Sequence, residues 1–300
     1  MKRLLYLLQA FSFTVFLFSF YLALIEVFGF ATPLTKYNHE QEYYDQIEAY
    51  DPSLGRLNSI AKLSAYCDSS YYAAFGSWNA DSLAEEHYTN IVSTAVRKKF
   101  YHGYSFYGFS DNYLALLFEP LFDGHASAIV LPDDIVKHPF AACSQQSIVM
   151  MTLLNGKKID TRKVIFDGGK RFGGHFSLEV FYDKRWHFFD PDKEPDTAIL
   201  DKLGRPDIES LANNQPTLVA AYRNLPADNV VGLFSSYVYG SPDRAVAPRA
   251  SIYQQITKIL SYTIWIIPLM LFFWVSRRIY AYKPDKKNVW NFRLHFFPFK

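Results

Sequence analysis

Apolar residues fall into two long runs near the ends of this chain and into shorter periodic runs between them. The first, Leu4 to Ile25, is interrupted only by the neutral Gln9, Ser12, Thr14 and Ser19, and its 22 residues suffice to cross a bilayer as a helix. A cleaved signal peptide ending near Gly29 or Ala31 is the competing reading, but its apolar region is usually about 7–15 residues, so a retained anchor is preferred. The second run, Ile259 to Val275, holds Trp265, Pro268 and Trp274 and follows Lys258, which can snorkel to an interface. The pattern thus predicts spans at 4–26 and 256–276, with residues 35–250 between them as one domain whose core covers about 82–200.

Within that domain, residues 35–66 read as helical: Glu40 to Tyr50, a break at Asp51-Pro52-Ser53, then Leu54 to Tyr66 with Leu57, Ile60 and Leu63 on one face. Asp68 to Asp81 reads as a loop. A helix is expected from Ser82, with Glu85 completing a capping box, to about Lys99. Phe100 to Phe109 is an aromatic and glycine cluster, and Asp111-Asn112 caps a short helix from Tyr113 to Leu121. After Asp192 the chain reads as irregular apart from a short helix over Leu218 to Tyr222, and Gly240 to Pro248 reads as a linker returning to the membrane.

The most informative stretch is Phe140 to Asp192. Cys143 precedes a run in which Ile148, Met151, Thr152 and Asn155 recur at helical intervals, with Gly156 as the expected stop. A cysteine in a first helical turn lies at the positive end of the helix dipole, where an anionic sulfur is stabilised. After a turn-rich segment, His175 to Tyr182 and Arg185 to Asp190 are rich in β-formers, with Asp183-Lys184 between them as a hairpin tip. Counting outward from a Tyr182–Arg185 pair puts Ser177 opposite Asp190. His175 shares the face of Ser177, so His175 and Asp190 become diagonal neighbours roughly 7–8 Å apart.

Cysteine, histidine and carboxylate in this order supply a thiol nucleophile with an oriented base. Singly, each has a structural explanation: a small buried hydrophobe, a turn residue, a strand end. Order, spacing and context join them. Ala142-Cys143, the run Leu153-Leu154-Asn155-Gly156 to Ile159 and Arg162, His175 with Glu179-Val180, and Trp186 before Asp190-Pro191 together resemble the transglutaminase-like superfamily. The close resemblance covers about fifty residues, and it departs where His175-Phe176-Ser177 replaces the family's usual His-Ala-Trp or His-Val-Trp. It implies an α+β, papain-type core with Cys143 as nucleophile, His175 as base and Asp190 as orienter. It also implies acyl transfer on amide bonds of a protein or peptide substrate, by hydrolysis or cross-linking, without a cofactor. One oxyanion donor would be the Cys143 backbone N–H, and Trp78 is a weak candidate for the second. The alternative is a non-catalytic, membrane-tethered binding or assembly module on the same fold.

Charge assigns the sides. Lys2 and Arg3 flank the first span, and Arg277, Arg278, Lys283, Lys286, Lys287, Arg293 and Lys300 follow the second against the single acid Asp285. Basic flanks mark the cytoplasm, so both termini, including the basic tail 277–300, read as inside and the domain as periplasmic or extracellular. The net +2 of the whole chain hides −6 on residues 32–255, which removes the electrostatic basis for nucleic-acid binding. A Cys67–Cys143 disulfide would compete with catalysis, but a domain of this size has no need of a staple. His102 reads either as a residue of the substrate groove or as part of an aromatic core. His125, His138 and His187 lack metal-ligand spacing, and neither HExxH nor CxxC occurs, so no metal site is expected.

Overall fold

The computed structural model describes residues 2–28, 50–79, 81–121, 126–193, 197–242 and 246–281. All but Tyr50 of the helix expected over Glu40 to Tyr50, His125 and the basic residues from Lys283 onward lie outside them. The architecture is α+β: helices packed on a four-stranded antiparallel sheet, with a long apolar helix toward each end.

The first, α1 (Lys2–Phe28), is 27 residues long, about 40 Å at 1.5 Å per residue. It is apolar all round rather than on one stripe, and Leu4, Leu7, Phe11 and Phe18 stand exposed along it. After a 3₁₀ turn at Pro52–Arg56, α2 (Ile60–Phe75) opens on Ser59, whose hydroxyl accepts from Lys62 N. It runs well past the expected end at Tyr66. Leu63, Cys67 and Tyr71 extend one buried stripe through the segment read as a loop, and that burial outweighs the polar content of Asp68-Ser69-Ser70. The next helix, α3 (Ser82–Lys99), ends where predicted, but its cap is Asp81, which accepts from Ala84 N at 2.8 Å. Asn112 caps α4 (Tyr113–Phe118), and a 3₁₀ turn continues to Leu121.

Cys143 opens α5 (Cys143–Asn155), nearly all of which is buried. Gly156 keeps a right-handed φ of −60°; the left-handed residue of the stop is Lys158, at φ 61°, with Ile159 N returning to Leu154 O. The segment read as turn-rich holds a strand, β1 (Thr161–Asp167), that composition concealed: Arg162-Lys163 disguise a run in which Val164 and Phe166 are fully buried. It pairs with β2 (Gly174–Tyr182), which pairs in turn with β3 (Arg185–Phe189). The hairpin has the expected register: Tyr182 faces Arg185 across Asp183-Lys184, both at positive φ as a tight two-residue turn requires. Beyond Asp192 the chain is more ordered than its composition implied. Short helices at Thr197–Lys202 and Ile208–Ala212 precede α6 (Gln215–Ala221) and α7 (Ala227–Phe234), and β4 (Tyr237–Tyr239) adds to the free edge of β1.

The sheet separates two apolar cores. Leu178, Val180, Tyr182 and Phe189 face α2, α3 and α5, while Val164, Phe166 and Phe188 face the helices after Asp192, including Leu218, Tyr222 and Phe234. Side-chain alternation assigns His175, level with Phe166, to the second face.

The C-terminal helical run starts at Pro248 rather than 256, as α8 (Pro248–Thr263) and α9 (Ile266–Ala281). The break at Ile264-Trp265 falls where Pro268 offers no N–H to the Ile264 carbonyl and its ring crowds it. The added turns of α8 dock on the domain: Asn112 Nδ2 donates to Gln254 O and Thr257 Oγ1, and the Gln254 side chain bonds Val130 N and Ala128 O. Gln9–Ser276, Phe13–Phe272, Phe20–Trp265 and Glu26–Ser261 contacts form a ladder along α1, so it packs antiparallel to α8–α9. Residues 2 and 281 therefore lie at one end of this pair and the domain at the other.

Candidate active site

Cys143 is held by its neighbours rather than by a cap. Ala142, at the N-cap position, has no side-chain acceptor, so the first amides of α5 are not consumed there. The buried Gln145 does the anchoring. Its Oε1 accepts from Ala142 N and Ser105 N, and its Nε2 donates to Ser105 O and Ile129 O, at 2.7–3.1 Å. Tyr101 N and O bond Pro139 O and Ala141 N, each at 2.9 Å, which lays the aromatic segment carrying His102 alongside the approach to Cys143. The Cys143 side is partly exposed, and no disulfide ties it to Cys67, which is fully buried in the first core.

His175 and Asp190, predicted as diagonal neighbours, meet directly. His175 Nε2 lies 2.6 Å from Asp190 Oδ2, with residue exposures of 3% and 0%. Asp190 is a saturated buried anion: Oδ2 also accepts from Tyr222 Oη at 2.8 Å, and Oδ1 accepts from Asp192 N and Lys193 N. Burial alone would raise the Asp190 pKa, but His175 and then these donors overcome it and hold it down to about 2. Burial likewise opposes a charged His175, yet the Asp190 carboxylate and the Cys143 side chain outweigh it and carry the imidazole up to about 10. Phe166 stacks on the His175 ring and Phe234 adjoins it, which keeps water from the pair. With Nε2 engaged, the buried Nδ1 makes no hydrogen bond and is the ring atom left for the thiol. The site lies on the seam between the cores, with the cysteine from the first layer and the pair from the second.

A second carboxylate joins the group. Asp192 Oδ1 binds His102 Nδ1 at 2.6 Å and Gln146 Nε2 at 2.9 Å. Its Oδ2 is buried without a hydrogen bond, 3.7 Å from Lys193 Nζ. Burial raises the Asp192 pKa, but His102, Lys193 and His175 together hold it below the usual carboxylate range. Cys143 Sγ, a His175 ring nitrogen and an Asp192 oxygen all lie within 4.8 Å of one another, a set of atoms able to hold a metal ion.

Asp192, Gln146 and Tyr222 are the residues that sequence reasoning did not place. Asp192 had a visible signal, two residues after Asp190 in Asp-Pro-Asp; Tyr222 had none. His102 is neither buried among aromatics nor free, being tied to Asp192. Trp78 packs against Tyr71 and Tyr88 beneath Lys157, at the far end of α5 from Cys143. His138 lies 4.0 Å from Asp111, and both ring nitrogens of His187 face backbone carbonyls, so neither reaches the site.

Comparison of the chain with protein-family models, with curated protein sequences and with solved structures yields no match.

Proposed function

We propose that this chain is a membrane-anchored, cysteine-dependent acyl-transfer enzyme of the transglutaminase-like kind, acting on amide bonds of a protein or peptide outside the cytoplasm. The observation that carries the reading is His175, buried with Nε2 on Asp190 and Nδ1 left toward Cys143. A helix-borne cysteine packed on an antiparallel sheet that bears the histidine also supports it, as that is the core implied by the resemblance. The antiparallel pairing of α1 with α8–α9 and the basic flanks support both termini lying inside.

In the reaction, His175 already holds the Cys143 proton as an imidazolium that Asp190 stabilises, and the sulfur attacks the amide carbonyl, forming an S–C bond. Asp190 holds the ring and stabilises its cation. The uncapped Cys143 N–H at the start of α5 faces the developing oxyanion. Collapse breaks the C–N bond, the amine leaves with the His175 proton, and a thioester remains. Water then releases an acid, or a second amine forms a new amide, and the thiol is regenerated.

A membrane-impermeant thiol probe applied to intact cells tests chemistry and topology together. Labelling is expected at Cys143 near neutral pH, slowed in His175→Ala and absent in Cys143→Ala. Labelling confined to alkaline pH would support a non-catalytic module, and labelling only after lysis would reverse the topology.

A further inference from the structure

The buried atoms left without hydrogen bonds in the site are a clue to what else it holds. His175 Nδ1 and Asp192 Oδ2 both lack a hydrogen-bonding partner, the latter having only the Lys193 ammonium at 3.7 Å, and both side chains meet the Cys143 sulfur within one small cluster. A buried polar atom left unpaired is unfavourable, by about 1–3 kcal/mol, unless something else satisfies it.

We infer that Cys143, His175 and Asp192 form a binding site for a Zn2+-class divalent ion. The donor set is one thiolate, one imidazole and one carboxylate, the mixture that zinc and its neighbours favour. Calcium and magnesium require six or more oxygens or near-octahedral oxygen coordination, which these three atoms cannot provide. The two anionic donors match a dication. Bonds of about 2.0–2.3 Å in a tetrahedron place donors roughly 3.3–3.8 Å apart. The observed separations, all within 4.8 Å, close to that range with a shift of about 1 Å. The partly exposed Cys143 supplies the entry path and leaves a fourth position for water.

The supporting contacts are already those of a metal site. Asp190 holds His175 through Nε2 at 2.6 Å and so presents Nδ1. His102 and Gln146 hold Asp192 through Oδ1 at 2.6 and 2.9 Å and so present Oδ2. Such outer partners orient ligands and set the tautomer of a metal-bound histidine. Binding requires a thiolate and a neutral Nδ1, so the proton that Cys143 and His175 share is released to solvent. The ion then occupies the sulfur and the Nδ1 that acyl transfer requires, so the ion switches that activity off; this consequence alone rests on the function proposed above.

The test uses the full-length chain in detergent, reduced and stripped with a chelator, then titrated with Co2+ as a spectroscopic probe. A sulfur-to-cobalt charge-transfer band with the intense visible bands of a four-coordinate ion is expected, displaced by Zn2+, absent in Cys143→Ser and retained in Cys67→Ala. His102→Gln, which loosens Asp192 without removing a ligand, should weaken binding roughly 10–100-fold. Absence of the band, its survival in Cys143→Ser, or unchanged affinity in Asp192→Asn overturns the inference. Labelling of Cys143 by the thiol probe with no cobalt band overturns the metal site and leaves acyl transfer standing. A Cys143-dependent cobalt band without enhanced thiol reactivity supports the site and counts against acyl transfer.

Discussion

Tyr222 donates its phenolic proton to Asp190 Oδ2 at 2.8 Å, the same oxygen that meets His175 Nε2 at 2.6 Å. The phenol comes from the residue that closes α6, 32 residues beyond the carboxylate, so the fold after β3 reaches back to fix the base. Tyr222 is fully buried, and removing its hydroxyl withdraws one donor from a buried anion. Tyr222→Phe is expected to lower stability by about 1.5–3 kcal/mol, the range for a hydrogen bond to a charged group. It should also shift the pH profile of Cys143 labelling while sparing the sheet. Denaturant unfolding together with the labelling profile checks this; an unshifted profile would make Tyr222 a packing residue only.

The His175–Asp190 pair gives stability a defined pH window. His175 is raised from an ordinary 6.5 to about 10, so its contribution is complete below pH 6.5 and is lost as pH rises through 10. Asp190 is lowered from an ordinary 3.8 to about 2, so its contribution is present above pH 3.8 and lost as pH falls through 2. The stability advantage of the wild type over Asp190→Asn is therefore expected to be largest between these ordinary values and to shrink in both directions. Thermal melts of both proteins in detergent across pH measure it. An advantage that grows from neutral toward alkaline pH would contradict the sign.

What could be read from the chain beforehand depended on how local the determining contacts are. The hairpin was legible because a two-residue tip at Asp183-Lys184 fixes the pairing, and His175 and Asp190 then follow by counting. The helix carrying Cys143 was legible from its apolar repeat. Strand β1 was not, because the charged Arg162 and Lys163 precede the buried Val164 and Phe166, and Arg162, on the same face as these two, is paired with Glu179 on the neighbouring strand. The His102–Asp192 contact joins residues 90 apart and depends on the pairing of Tyr101 with the Pro139–Ala141 segment. No periodicity carries that information.

The two cysteines are expected to behave oppositely. Burial, then the nearby Asp68, pushes the Cys67 thiol up to about 12, and its surroundings in α2 admit no reagent. Cys143 is partly exposed at the mouth of the site. Alkylation of the folded protein near neutral pH, followed by peptide mass mapping, should modify Cys143 alone. Cys67 should react only after denaturation, without any need for a reductant. Equal modification of both in the folded state would mean that α2 does not stay packed.

Gln145 offers the sharpest test of how the nucleophile is positioned, because one amide satisfies four backbone groups on three segments. Gln145→Leu keeps the volume and strands Ser105 N–H, Ala142 N–H and the Ile129 carbonyl in a dry interior, while Ser105 O keeps its bond from Ile129 N at 3.0 Å. The loss expected is on the order of 3 kcal/mol or more, since each unsatisfied group is unfavourable by about 1–3 kcal/mol and some relaxation occurs. Gln145→Glu separates hydrogen bonding from shape. As a carboxylate it still accepts from the two N–H groups but points an anion at the carbonyls of Ser105 and Ile129, whereas as an acid it donates to one of them. Its burial favours the neutral form, so the Glu variant should regain stability, relative to wild type, as pH falls. Unfolding of wild type, Leu and Glu variants at neutral and mildly acidic pH measures this. A Glu variant whose deficit does not change with pH would show that Gln145 acts by filling space rather than by bonding the start of α5.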